Sequence, residues 1–388
     1  MGLTTERGLP TTWSSEGENV LWKSPLPGTI EKAAPDHNQS SPIVARGRVF
    51  VAVSVWPEGR AKTELPDHHI ACYDALTGER LWDTLIEPGP WRLTDLRGGY
   101  GAPTPATDGE RVYVVFGSSV IAALDFAGKL VWRHEIADHQ GFDVAIASSP
   151  IMHEGNVLLL CERNGGKSTL VAYDGKTGET RWTQKRPQTS FSHSTPVVAR
   201  IDGRSQILVS ASNALQGLDP ATGEIQWWVR TPGDVTSPTV HDGMIYTDSG
   251  RGGKGVLVEP GRTGDVTDTN IRWTGPQISE GLSSPVVAGG HLYRLHTPGV
   301  LKCFDLATGK ETYAKRIEGL STSSCPVATP EGLVYLASAG KSFIVRAGAE
   351  YDLVATNDLG DPSQASIAVA GGRLYFKGQR ELICVGVK

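Results

Sequence analysis

Apolar and polar residues alternate along this chain with a period of two, in short runs broken by turns that contain glycine or proline. No segment sustains a 3.6-residue apolar period over three turns, so helices are not expected. Segments recur in a fixed order. A small residue followed by proline opens a β-branched strand, as in Ser41-Pro42, Ser149-Pro150, Thr195-Pro196, Ser237-Pro238, Ser284-Pro285 and Cys325-Pro326. Proline at the first position of a strand costs no ladder hydrogen bond. A glycine turn and a second strand follow, as in Gly47-Arg-Val-Phe-Val and Gly290-His-Leu-Tyr. A third apolar strand ends at aspartate, and an Asp-x-x-Thr-Gly turn leads into a short strand ending in tryptophan. Aspartate in such a turn bonds its own backbone, and glycine supplies the positive φ.

This last motif recurs at Asp74–Trp82, Asp174–Trp182, Asp219–Trp227 and Asp305–Tyr313, with a looser copy at Asp125–Trp132. Four strands per unit at this period predict an all-β fold, a β-propeller of four-stranded antiparallel blades. The aromatic anchors are Trp22, Trp82, Trp132, Trp182, Trp227, Trp273 and Tyr313, and Leu353 holds the same slot in a further unit. The final strands stop before any tryptophan, and Asn19-Val-Leu-Trp22 supplies the missing outer strand. The expectation is an eight-bladed ring closed by pairing the amino- and carboxy-terminal strands, which removes the open sheet edge. Residues 1–18 read as an amino-terminal extension and 19–388 as one propeller domain.

Composition narrows the function classes. A net charge of -5 and a pI near 6.1 argue against a nucleic-acid binder, which is usually basic. No apolar run approaches the ~20 residues of a membrane-spanning helix. The first ten residues are polar and lack a secretory pattern, so the protein is expected to be cytoplasmic or to have lost a leader. Of the five cysteines, Cys72, Cys303 and Cys384 share one slot with Ala123, Ala172 and Gly217, and Cys325 shares the serine slot of Ser41. These read as small fillers. Cys161 lies outside the slots, and no CxxC or adjacent pair points to zinc or redox chemistry.

With these repeats the chain resembles the quinoprotein-like, PQQ-repeat β-propellers, over residues 19–386. Its length and blade count look like the group related to the outer-membrane-assembly propeller lipoprotein, with many secreted bacterial relatives. The resemblance implies that each tryptophan docks on the neighbouring blade, and that the protein is periplasmic or secreted. In the alcohol dehydrogenases of the superfamily, pyrroloquinoline quinone lies between a tryptophan and a vicinal disulfide, near calcium. This chain has no adjacent cysteines, and its fifth unit carries Pro260 in the aspartate slot. The cofactor therefore stays unassigned, as does any metal.

Propellers bind at the face where the innermost strands begin. Residues ahead of each Ser-Pro, and the loops between second and third strands, should line that funnel. The candidate catalytic set is His37, Tyr100, His193, His296 and Arg251. Histidine or tyrosine beside arginine can take a proton next to a neutralised carboxylate. Asn38, Asp143, Arg163, Asp234, Glu280, Lys341 and Lys377 are candidate ligand-binding residues. His37, His193 and His296 could alternatively form a metal site. Insertions at Trp56–His69 and Pro88–Tyr100, the latter carrying Trp91, are the places to expect a lid or partner surface. Asn164-Gly-Gly-Lys-Ser168 reads as a turn rather than a phosphate loop, and Asp265–Asn270 as an outer-edge loop. The leading functional reading is a monomeric platform for a small-molecule, carbohydrate or protein partner. The alternatives are a lyase acting on acidic sugars and a quinone-dependent dehydrogenase.

Overall fold

A computed structural model describes residues 2–28, 34–36, 38–136, 146–163, 166–189, 192–320 and 324–387. The repeat units form eight antiparallel sheets arranged in sequence order around a ring. Blade 1 is typical: Ile43–Ala45 lies innermost, followed outward by Arg48–Trp56, Asp67–Asp74 and Arg80–Ile86. The middle two strands of each blade are almost wholly buried, because both their faces meet a neighbouring blade. Blade 8 combines Ala368–Ala370, Arg373–Lys377 and Glu381–Gly386 with Val20–Pro25 from the other end of the chain. Trp22 pairs with Cys384 in that register. The ring closes as the repeat predicts.

Each interface between adjacent blades holds its own apolar cluster, and the anchors organise them. The Trp22 indole donates to the Ala75 carbonyl of blade 1, Trp82 to Phe126 of blade 2, Trp132 to Gly175 of blade 3 and Trp273 to Leu306 of blade 6, at 2.8–3.2 Å. The turn glycine of the next blade lies flat against that ring. A Cβ on Gly78 would stand 2.6 Å from Trp22, and one on Gly128 would stand 2.6 Å from Trp82. Glycine is thus required twice here, for its positive φ and for this approach.

Blade 4 departs from the pattern for a visible reason. Gly217 leaves space where a side chain would stand 2.2 Å from Trp227, so that indole turns inward and donates to Gln206. The atypical turn of blade 5 covers the site: Gly264–Asp265 adds in parallel to the outer strand of blade 4, and a single helical turn, Thr267–Asn270, follows.

A second device encircles the channel. The backbone N–H of each Ser-Pro position donates to the side chain at the same position in the next blade. The circuit runs Ser41, Thr104, Ser149, Thr195, Ser237, Ser284, Cys325, Ser366 and back to Ser41. Seven of these bonds measure 2.9–3.1 Å, and the one accepted by the Cys325 sulfur is 3.3 Å. All five cysteines are free thiols; four are buried, and Cys325 sits half-buried in this belt. The described part of residues 1–18 is docked along blades 7 and 8, with Leu9 and Trp13 inside their shared cluster.

Candidate functional site

The funnel candidates fall into three groups. His37 and Asp143 lie outside the described residues.

The first group is built into blades 1, 2 and 8. Asn38 exchanges two hydrogen bonds with the backbone of Ser54, at 2.7 and 3.1 Å. Tyr100 is buried, and its hydroxyl accepts the Leu93 N–H at 2.9 Å. Its ring meets Trp56 edge-on, and the insertions that carry Trp56, Trp91 and Leu93 pack together as a satellite core. Burial pushes the Tyr100 phenol upward. Lys377 ends the second strand of blade 8 and is only 1% exposed. Its ammonium donates to Ser40 Oγ at 2.6 Å and to the Ala52 carbonyl at 3.1 Å, which ties blade 8 to blade 1. Burial lowers its pKa to about 7.

The second group stands apart on blades 3, 6 and 7. Arg163 donates its N–H to Ser168. Glu280 and Lys341 are exposed. His296 is fully buried, and its Nδ1 lies 3.1 Å from the Ser279 carbonyl and 3.2 Å from its hydroxyl. Burial, then the Arg294 charge, lowers its pKa to about 4.

The third group is brought together, on blades 4 and 5. Gly233 lets the chain pass tightly against blade 4, since a Cβ there would stand 2.3 Å from Ser210 Oγ. Asp234 follows, and its carbonyl accepts the His193 N–H at 2.8 Å and the Ser192 hydroxyl at 2.9 Å. The loop Ser249–Gly253 turns Arg251 back over Asp234, with Nε to Oδ2 at 3.0 Å. The Arg251 side chain is 49% exposed and that of Asp234 18%. Burial raises the Asp234 carboxyl, and Arg251 opposes it. Burial and then the Arg251 charge bring His193 down to about 4. At neutral pH the cluster is an ion pair beside a neutral imidazole, so it can offer a donor, an acceptor and a solvent-reachable guanidinium.

Two buried ion pairs, not anticipated from the sequence, brace this region. Asp248 of blade 5 holds Arg294 of blade 6 in a bidentate pair at 2.9 and 3.1 Å, with both side chains at 0% exposure. Glu162 of blade 3 pairs with Arg186, whose Nε donates to Gln216 of blade 4 at 2.8 Å. A sequence signal existed for Arg294, which interrupts an otherwise apolar second strand, Leu292-Tyr-Arg-Leu295. Among the described residues no three histidine, cysteine or acidic side chains gather as a metal site would require.

Residues 3–165 match the family profile described as outer membrane protein assembly factor BamB, and residues 102–246 match that of the EMC1 N-terminal beta-propeller domain. Outer membrane protein assembly factor BamB of Moranella endobia (strain PCIT) is 26% identical over 258 residues, covering 61% of this chain and 62% of that protein. The chain thus matches just under two thirds of that relative's length. Among solved structures, BamB from Moraxella catarrhalis superposes with a TM-score of 0.63 at 17% identity, over 95% of this chain and 97% of that one. A europium-containing methanol dehydrogenase gives 0.69 at 12% identity, over 99% and 87%. At such identities the structural likeness speaks for the fold.

Proposed function

The chain is a quinoprotein-like, PQQ-repeat eight-bladed propeller related to the outer-membrane-assembly propeller lipoprotein, and from that premise we propose that it is a binding platform that works through its top-face funnel. The observation that carries this reading is the Arg251–Asp234 pair beside His193. It combines charge, solvent access and a rigid mount, whereas Asn38, Tyr100, His296 and Lys377 on the same face are buried in bracing contacts. The partner is a protein segment engaged by the funnel, and the setting is periplasmic or secreted, as the likeness to an assembly factor suggests. The platform acts as a monomer.

A photo-crosslinking residue at exposed Glu280, whose neighbour Gly281 bonds Gly250 in the Arg251 loop, should trap the partner in cells, and one at Gly47, in a turn on the opposite face, should not. Equal adducts from both positions would remove the funnel from the reading. Arg251→Ala should weaken capture with folding intact, because the guanidinium is solvent-reachable.

A lyase reading keeps one point of support, the neutral His193 imidazole next to a guanidinium. It predicts turnover of a polyuronide that is lost in both His193→Ala and Arg251→Ala. For a quinone cofactor the residues do not fit. The five cysteines lie on blades 1, 3, 6, 7 and 8, so none can form the vicinal disulfide wall, and no step is derived through that group.

A further inference from the structure

Blade 7 has no aromatic anchor. The register puts Ala355, opposite Ile344, in that slot rather than Leu353, which pairs with Val345 beyond the bulge and is 40% exposed; Ala355 packs against the cluster that holds Trp13. In blades 8, 1, 2 and 5 the anchor ring lies 5.9–6.0 Å from the aromatic residue on the second strand of its own blade, in the pairs Trp22–Tyr375, Trp82–Phe50, Trp132–Tyr113 and Trp273–Tyr246. Where that residue is Tyr375 or Tyr113, its hydroxyl and the indole N–H share one carbonyl of the next blade, Ala75 or Gly175. Tyr335 is the counterpart in blade 7, and two of its partners are missing. Blade 7 has no tryptophan. Blade 8 has no Asp-x-x-Thr-Gly turn, because its outer strand comes from the other end of the chain.

The amino-terminal segment supplies both. Trp13, 3% exposed, stacks on Tyr335 with ring centroids 6.4 Å apart and an interplanar angle of 2°. The Tyr335 hydroxyl donates to the carbonyls of Leu9 and Pro10, at 3.4 and 3.2 Å. The backbone is held as well. The Thr4 N–H donates to Ala328, and Ala328 donates to Gly2, at 3.1 and 2.7 Å. The Asn357 amide accepts the Trp13 N–H and donates to the Thr11 carbonyl, each at 3.0 Å. The Glu6 carboxylate takes the N–H groups of Gly371 and Gly372, at 3.0 and 2.9 Å.

Main-chain bonds for affinity, apolar slots for spaced side chains and a backbone nest for a carboxylate are the parts of a peptide-recognition site. We propose that the seam between blades 7 and 8 is such a site. Residues 2–14 are its intrachain ligand, an extended segment read through a carboxylate, a leucine and a tryptophan at fixed spacing. The segment is joined to the ring only through the turn Ser14–Glu18, where Ser15, Glu16 and Glu18 are exposed. The slot therefore accepts the same segment in trans once the tether is cut, at the cost of the effective concentration the tether provides.

The test keeps the whole folded chain. A protease-cleavage sequence is placed between Glu16 and Gly17, and the chain is folded and then cut. A fluorescent peptide of residues 2–16 is added. Saturable uptake is expected, with the Trp13→Ala peptide binding at least about tenfold more weakly. No uptake, or equal uptake of both peptides, overturns the proposal. A second measurement uses the uncut chain. Trp13→Ala should lower the Tm by about 5 °C and speed hydrogen exchange in Leu333–Ser338 and Lys341–Arg346, leaving blades 2 to 4 unchanged. Unchanged exchange at blade 7, or a uniform rise around the ring, also overturns it.

Discussion

The backbone N–H of Ser366 lies 3.0 Å from the hydroxyl of Ser41, and this bond joins the last inner strand to the first. It completes a polar circuit that no single sheet contains. Ser41→Ala removes one acceptor and should cost about 1 kcal/mol in denaturant unfolding. Cys325→Ser replaces a weak sulfur acceptor by a hydroxyl, and should leave stability unchanged or raise it by up to about 1 kcal/mol. A clear loss for the serine variant would show that the sulfur is needed for its size.

The turn glycines separate two costs. Gly47 and Gly128 both have positive φ, but a side chain at Gly47 meets nothing, whereas one at Gly128 meets the Trp82 ring. Gly47→Ala should cost about 1 kcal/mol from backbone strain alone. Gly128→Ala should cost about 1–3 kcal/mol more, because the indole must move off its carbonyl. Paired urea titrations give the difference directly.

Stability should depend on pH through buried bases. The folded pKa of Lys377 is about 7, below the unfolded value of 10.5. Between these values the unfolded chain binds the proton and the folded chain does not. This residue therefore makes unfolding harder as pH rises from about 7 to 10.5, and its penalty is full below 7. His68, lowered to about 3 by burial, and His193 and His296, lowered to about 4, act with the same sign below pH 6.5. Each group contributes at most about 1.4 kcal/mol per pH unit within its window. Lys377→Met should flatten the profile between pH 7 and 10 and leave the acid limb in place.

Arg251 should be visible from His193. Removing the cation in Arg251→Ala takes away the second cause of the histidine's depression and leaves burial, the larger one. The NMR titration midpoint should move up from about 4 yet stay below 6.5. No movement would mean that the two groups do not face the same part of the funnel.

Blade number, ring closure and the anchors were legible because repetition multiplies a weak signal: Asp-x-x-Thr-Gly followed by tryptophan recurs at one slot. Features that occur once were not legible. Trp13 sits among polar residues outside any repeat, and its role exists only because Ala355 in the anchor slot and the closing of blade 8 leave a space. Glu162 and Arg186 look like ordinary rim charges until Gln216 of the next blade is seen to cover them. The candidate cluster was half legible. His193, Asp234 and Arg251 were all named from their positions in the loops, but their convergence depends on the tight path at Gly233 and the turn at Ser249–Gly253. Tyr100 and Lys377 hold similar loop positions, yet the structure uses them as bracing.

The docked amino terminus also sets an order in time. The Tyr335 bond to Leu9 spans 326 residues of chain, and Ser41 waits on Ser366 across 325. The first 25 residues leave the ribosome long before the strands they complete exist. Blades 2 to 6 can assemble from neighbours as they emerge, while Trp13 waits for Tyr335 of blade 7, and Trp22, already able to reach Ala75 of blade 1, waits for Tyr375 of blade 8. Closing the ring thus comes after the inner blades, and the emerging chain carries an uncovered Trp13 indole until blade 7 exists.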